Sequence, residues 1–382
     1  MSKVYVRGVG MTNFGELWDY DLRKLAFEAA VEALNDAQIK IKHIDAIFVA
    51  NMASSRFTGQ EHLGALVASE LNTDCPAYRV EGACASGSLA INLAYHSILS
   101  GSFENVLVIG AEKMTDVSGA EATKGLSGAA DEEWESFYGV TFPSLYAMIA
   151  REHMRLYGTT KEDLGLISIK NHENATLNPK AHFPKAITMN TYLNAPEVAS
   201  PLNLMDCSPV SDGAAAIILS KNPTKYNVTL ETSQVATSSL SLHDRKEITV
   251  IDAAVKAANK AYQALDLTPE KIDIAEVHDC FTIAEILAYE ALGFAKIGKG
   301  VELIRKGITA RTGKIPVNTS GGLKGCGHPV GATGIKQALE IVLQLSGKAG
   351  LRQIDRKLKY GLTHNVGGSG ATCVVNVFKK NS

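Results

Sequence analysis

Ile44-Asp45-Ala46-Ile47-Phe48-Val49 and its echo Ile272-Asp273-Ile274-Ala275-Glu276-Val277 decide how this chain folds. Both are short apolar runs of strand type. Ahead of the first, Leu22, Leu25, Ala26, Ala29, Ala30 and Leu34 recur at helical spacing, and ahead of the second Ile251, Ala254, Val255, Ala258, Tyr262 and Leu265 do the same. After each strand comes a Gly-containing turn and helix, 82–101 and 325–347, and then another strand, Val106-Leu107-Val108-Ile109 and 360–363. Such self-similarity marks a duplication. Each half reads strand, helix, strand, helix, strand, an alternation that predicts parallel strands joined by right-handed crossovers and covered by helices.

The halves span 1–222 and 223–382. Within the first, from about 115 to 205, the pattern loosens into Ser, Gly, Thr and charged residues, punctuated by Asn and Pro. This is an inserted loop domain, and long irregular segments in compact enzymes are usually lids or binding surfaces. The run from Asp206 to Gly213 then leads into apolar residues 214–219, the closing strand of the first half.

The bulk numbers exclude several classes. A chain of 382 residues with 46% hydrophobic and 20% charged residues has enough core for a globular enzyme. Lys plus Arg number 38 against 40 Asp plus Glu, with no long block of one sign, so no nucleic-acid partner is expected. Neither a signal peptide, a transit peptide, a peroxisomal tripeptide nor an apolar run of membrane-spanning length is legible, so the expected location is cytoplasmic, with no membrane contact. The six scattered cysteines then read as reduced thiols.

Four segments carry candidate chemistry. In Val80-Glu81-Gly82-Ala83-Cys84-Ala85-Ser86-Gly87, a strand gives way to a helix, and a cysteine at a helix N-terminus is expected to have a lowered pKa and to act as a nucleophile. A small core residue in a tight turn fits the same letters equally well. His278 and Cys280, in Val277-His278-Asp279-Cys280-Phe281, follow a strand where catalytic groups gather, with both side chains on one face. A hydrogen-bonded strand-end histidine beside a buried cysteine is the plainer alternative. His328 sits in the Gly-rich run from Asn318 to Gly334, fixed by Pro329 and suited to polarising a carbonyl, though such a run also serves as a structural turn. Thr363-His364-Asn365-Val366-Gly367-Gly368 could supply N–H groups to an oxyanion hole or form a plain glycine hairpin.

Two rival assemblies fail on spacing. His278, Cys280, Cys326 and His328 are zinc-ligand types, but each pair is separated by one residue rather than the two to four of structural zinc sites. Gly8-Val9-Gly10 lacks the third glycine of a dinucleotide loop, and Asn51 stands where the acidic residue belongs.

In this order and at these separations, the four segments resemble the thiolase family over essentially the whole chain. Cys84-Ala85-Ser86 is similar to the nucleophile loop and Gly327-His328-Pro329 to the Gly-His-Pro loop. His278-Asp279-Cys280-Phe281 looks like the variant of the archaeal acetoacetyl-CoA and sterol-carrier-protein-type thiolases. The resemblance implies a five-layered αβαβα fold with a loop domain over the site. It implies Claisen condensation of two acetyl-CoA to acetoacetyl-CoA, or the reverse, with acyl-CoA substrates and no cofactor or metal. Cys84 would be the acyl carrier, and the N–H groups of Cys84 and Gly367 its oxyanion hole. His328 and a water held by His278 would stabilise the enolate. Asn365 stands where most thiolases carry their acid/base cysteine, which passes that role to Cys280, with Cys326 as the competing thiol. The resemblance further implies a homodimer or homotetramer, and association with hydroxymethylglutaryl-CoA synthase through a small zinc-ribbon and OB-fold protein. A decarboxylating ketoacyl synthase, or a non-catalytic acyl-CoA or lipid-binding homologue, are the alternatives.

Overall fold

The computed structural model describes residues 3–381; Met1, Ser2 and Ser382, on which the reading of the chain ends partly rests, lie outside the described residues. The first half runs β1 (Val4–Met11), α1 (Leu22–Ala37), β2 (Ala46–Ala50), the short α2 (Ser54–Thr58), α3 (Leu63–Glu70), β3 (Ala77–Val80), α4 (Ser86–Leu99) and β4 (Asn105–Glu112). An inserted segment carries α5 (Gly119–Ser127), α6 (Phe142–Tyr157), α7 (Lys161–Ala175), α8 (Met189–Leu193) and a small hairpin of β5 (Glu197–Ala199) and β6 (Leu202–Asn203); β7 (Gly213–Ser220) follows. The second half comprises β8 (Val228–Thr237), α9 (Asp252–Leu265), β9 (Ile274–Val277), α10 (Thr282–Ala291), α11 (Gly300–Arg305), α12 (Gly322–Cys326), α13 (Thr333–Ser346), β10 (Tyr360–Gly367) and β11 (Thr372–Lys380).

The duplication is visible in strand order. β3-β2-β4-β7-β1 in the first half is answered by β9-β10-β11-β8 in the second, and the isolated pairing of Val317 with Ala275 stands where β3 pairs with β2. The two sheets join only at Val4–Leu230 and Tyr5–Thr229. Within each half the expectation of parallel strands holds except for β7 and β11, which run against their neighbours, and β1 and β8 are antiparallel where the halves join. For β11 the cause is local: a four-residue turn links it to β10, and a turn that short can only reverse the chain.

Alternation along β4 assigns the layers. Leu107 and Ile109 pack with Leu25, Ala29 and Val67 of α1 and α3 on the outer face, while Val106 and Val108 face inward. There they meet Ile91 and Ala94 of α4 and Ile335 and Ala338 of α13, the paired central helices, which also touch Phe378 of the second sheet. α9 and α10 cover the far face of that sheet. The result is the five-layered αβαβα arrangement. Among the described residues, no helix is long and apolar enough to cross a membrane.

The insertion is helical where the sequence pattern looked loose. Thr160 caps α7 by accepting from the Asp163 N–H, while Asp163 accepts the Thr160 N–H in return. Leu145, Ile149 and Ala150 give α6 an apolar face. These signals were present, but obscured by polar residues on the outer faces and by the prolines that follow. α7 is fastened to the second half through Lys170, which pairs with Glu285 at 2.5 Å and donates to the Val317 carbonyl at 2.9 Å.

The central layer tolerates no added atoms at β4. A Cβ on Gly110 would lie 2.3 Å from the Gly331 carbonyl oxygen and 2.8 Å from the Ala332 Cα, both backbone atoms that cannot swing aside. Gly110→Ala is therefore expected to lower unfolding free energy by about 1–3 kcal/mol, as overpacking does. Urea denaturation measures this, and an unchanged midpoint would refute the packing argument.

Candidate active site

Three loops converge between the sheets, two at the C-terminal ends of β3 and β9 and one after α12. Cys84 lies in the 3-10 turn Ala83–Ala85 leading into α4. The turn is tied down: Ser86 Oγ donates to the Ala83 carbonyl at 2.6 Å and accepts the Gly82 N–H at 3.0 Å. Ala83 holds φ at +52°, a strained value for a residue with a side chain, and it turns the next residue, Cys84, toward the cavity.

His278 follows β9 and is buried. Asn365 on β10 donates from its amide to His278 Nδ1 at 3.1 Å and to the Cys84 carbonyl at 3.0 Å. Since Nδ1 accepts, the ring proton is assigned to Nε2. That nitrogen is buried and has no partner among the described residues, a donor held ready. Burial, and then His328 and His364, push His278 well below the usual histidine range, so the ring is neutral.

His328 is held through Nδ1, 2.7 Å from Thr333 Oγ1, whose hydroxyl donates to the Pro329 carbonyl at 3.1 Å. The Thr333 proton being used there, Nδ1 carries hydrogen and Nε2 keeps a free lone pair. Burial, with Lys336 adding to it, takes His328 down to about 3. The two imidazoles meet edge to face with centroids 5.1 Å apart, and the ligating atoms of Cys84, His278 and His328 all lie within 4.8 Å of one another.

Cys280 faces the same hollow, a cavity of about 160 Å³ lined by Cys84, Cys280 and His328 with Leu126, Phe142, Tyr146, Cys207, Val210, Phe281 and Gly368. Cys326 is elsewhere: its sulfur accepts from Asn178 at 3.4 Å and sits in the field of Lys336, Glu276 and Arg352. The four-residue zinc set is thereby split. A larger cleft of about 360 Å³, lined by Glu32, Lys180, Lys348 and Arg352, presents neither cysteine nor histidine.

One expectation changes. The helix N-terminus does not yield a resting thiolate at Cys84: burial pushes the thiol up to about 12, offset only in part by the N–H groups of Gly368 and of Cys84 itself. Gly367, whose N–H is expected to complete the oxyanion hole, ends β10 against the Gly82 carbonyl, next to the Cys84 turn. Burial likewise raises Cys280. Neutral thiols beside neutral imidazoles are set up to exchange protons only when a substrate bond is made or broken.

Buried carboxylates hold the loops. Glu112 accepts the N–H groups of Met52, Ala53 and Gly331 at 2.9–3.0 Å, joining the Gly-His-Pro loop to the first half. Asp279, between His278 and Cys280, accepts the N–H groups of Leu323 and Lys324 at 2.7 and 3.2 Å and the Asn171 amide at 2.6 Å. Sequence reasoning missed both roles, as it missed Asn365 as the bridge and Tyr146 in the wall.

Comparison with known proteins gives a consistent picture. The family model described as "Thiolase, N-terminal domain" matches residues 4–223, and "Thiolase C-terminal domain-like" matches 234–380. The chain is 48% identical to the acetyl-CoA acetyltransferase of Methanothermobacter thermautotrophicus, covering 100% of both chains. It is 35% identical to human sterol carrier protein 2, covering 99% of this chain and 72% of that one. A solved structure titled "Ltp2-ChsH2(DUF35) aldolase" superposes with a TM-score of 0.86 at 23% identity, covering 99% of this chain and 98% of that one.

Because a thiolate fraction grows tenfold per pH unit below its pKa, alkylation of resting Cys84 by iodoacetamide is expected to climb about tenfold per unit from pH 7 to 9. A flat profile in that window would mean a preformed thiolate.

Proposed function

The chain belongs to the thiolase family, and we infer from its site that it is an acetyl-CoA C-acetyltransferase, condensing two acetyl-CoA to acetoacetyl-CoA and CoA or running the reverse thiolysis. One observation carries the mechanism: Cys84, Cys280 and His328, from both halves, share one small buried cavity. The 48% identity with the archaeal acetyl-CoA acetyltransferase supports the substrate.

His328 Nε2 takes the Cys84 proton as the sulfur attacks the acetyl carbonyl. The N–H groups of Cys84 and Gly367 receive the oxyanion. Collapse expels CoA, protonated by Cys280, and leaves an acetyl-Cys84 beside a Cys280 thiolate and a protonated His328. The second acetyl-CoA loses its α-proton to Cys280. Its enolate oxygen is met by His328 and by the His278 Nε2–H, where each donor is worth about 3 to 4 kcal/mol. The enolate carbon attacks the acetyl group, and Cys84 leaves, recovering its proton from His328. Every proton is returned, and each group is protein or thioester, so the cycle uses neither metal nor prosthetic group.

A ketoacyl synthase would obtain its carbanion by losing carbon dioxide and would leave Cys280 idle; its place in the cavity wall favours proton abstraction. The archaeal resemblance carries a proposal on assembly as well: a cytoplasmic homodimer or homotetramer that joins hydroxymethylglutaryl-CoA synthase through a small zinc-ribbon and OB-fold protein, which co-purification tests.

Cys84→Ala is expected to remove covalent labelling by radiolabelled acetyl-CoA and to lower kcat at least about a thousandfold. Cys280→Ala should retain labelling but lose α-proton exchange in deuterated water. Product made only when a malonyl donor is supplied would overturn the assignment, and undiminished exchange in Cys280→Ala would move the base elsewhere.

A further inference from the structure

Tyr146 is a polar side chain in the cavity wall that no motif accounts for. It comes from α6, is 1% exposed, and lies flat on Phe281, with centroids 4.6 Å apart and planes 25° from parallel. Its hydroxyl donates to the Gly368 carbonyl at 3.2 Å, and Tyr146 lines the same small cavity as Cys280, close enough to influence its thiol. A phenol has one proton and two lone pairs. With the proton on Gly368, what faces the Cys280 thiol is an acceptor.

We propose that Tyr146 is a switching hydrogen-bond partner of Cys280, accepting from its thiol at rest and turning its O–H from the Gly368 carbonyl onto the sulfur once Cys280 has lost its proton. This rests on the acid/base role assigned to Cys280 above. When Cys280 protonates the departing CoA, its S–H bond breaks and a CoA S–H bond forms. The Tyr146 O–H bond stays intact and only rotates. When Cys280 takes the α-proton of the second substrate, the hydroxyl turns back. Tyr146 thus steadies the thiolate in the interval between the two transfers, while the protonated His328 stands elsewhere in the same cavity wall.

Burial, and then Cys280, hold the Tyr146 phenol well above its usual range, so it remains a neutral donor. Tyr146 is also the largest influence opposing burial at Cys280. The other ionisable groups lining the cavity with Cys280 are Cys84, Cys207 and His328, and Asp279 stands on its own loop; of these Cys84 and Asp279 disfavour its thiolate. Arg245, beyond Tyr146, favours negative charge in this corner; it is fixed by donating to Ser369 O and Oγ at 2.7 and 2.8 Å.

The test reads Cys280 without relying on turnover. In a Cys84→Ser background, iodoacetamide labelling of the Cys280 peptide is followed by mass spectrometry from pH 7 to 10, with and without Tyr146→Phe, which keeps the ring on Phe281. Loss of a hydrogen bond to a charged atom should slow labelling about ten- to a hundredfold at each pH and shift the profile to higher pH. With Cys84 intact, α-proton exchange should fall by the same factor. Replacing Tyr146 with 3-fluorotyrosine, a stronger donor of nearly equal shape, should shift the labelling profile to lower pH, which a purely structural role would not do. Superimposable profiles for all three proteins would overturn the proposal. If the profiles move but the parent protein makes no acetoacetyl-CoA, the switch stands and the reaction assigned above falls.

Discussion

A single carboxamide holds the two halves of this site in register. Asn365 gives one amide proton to the Cys84 carbonyl and the other to His278 Nδ1, so it fixes the nucleophile turn of one half and the imidazole tautomer of the other. Its oxygen accepts the Ser88 N–H at the start of α4. Room for it exists because Gly334 has no side chain: a Cβ there would come 2.3 Å from Asn365 Oδ1. Asn365 is therefore the clamp between the halves.

Burial sets the electrostatic character of the whole arrangement. In a site this buried, thiols and imidazoles are cheapest as neutral groups, and burial holds them so. Hydrogen-bonded carboxyl and ammonium groups are placed behind them; burial raises Glu112 and Asp279 too. Glu112 and Asp279 collect backbone N–H groups, and Lys336 pairs with Glu276 at 3.1 Å while donating to the Gly322 carbonyl. These groups hold loops; the reacting groups acquire charge only during transfer.

The fold was legible because its signal was repeated. Two Ile-Asp strands, each behind a helix of matching apolar spacing, predicted the duplicated halves, and β2 with β9 and α1 with α9 occupy equivalent places. The antiparallel sense of β7 and β11 was not legible, since alternation within a strand says nothing of its direction. Cys84, His278, Cys280 and His328 each stood beside a glycine turn or a strand end, and the structure gathers them around one centre. Tyr146, Glu112 and Asp279 were hidden because their importance lies in what they touch across the chain. Tyr146 reaches Gly368, and Glu112 reaches Gly331, through contacts between residues more than two hundred positions apart. The resting pKa of Cys84 was misjudged for a similar reason: helix position is local, whereas burial is a property of the assembled layers.

The account stands on two sulfurs facing one hollow. Treating the native protein with a short three-carbon bis-electrophile and mapping the products by mass spectrometry tests this most directly. It predicts one dominant bridged peptide pair joining Cys84 to Cys280, blocked by prior acetylation of Cys84. Separate single modifications of those residues, or a bridge from Cys84 to any other thiol, would contradict it.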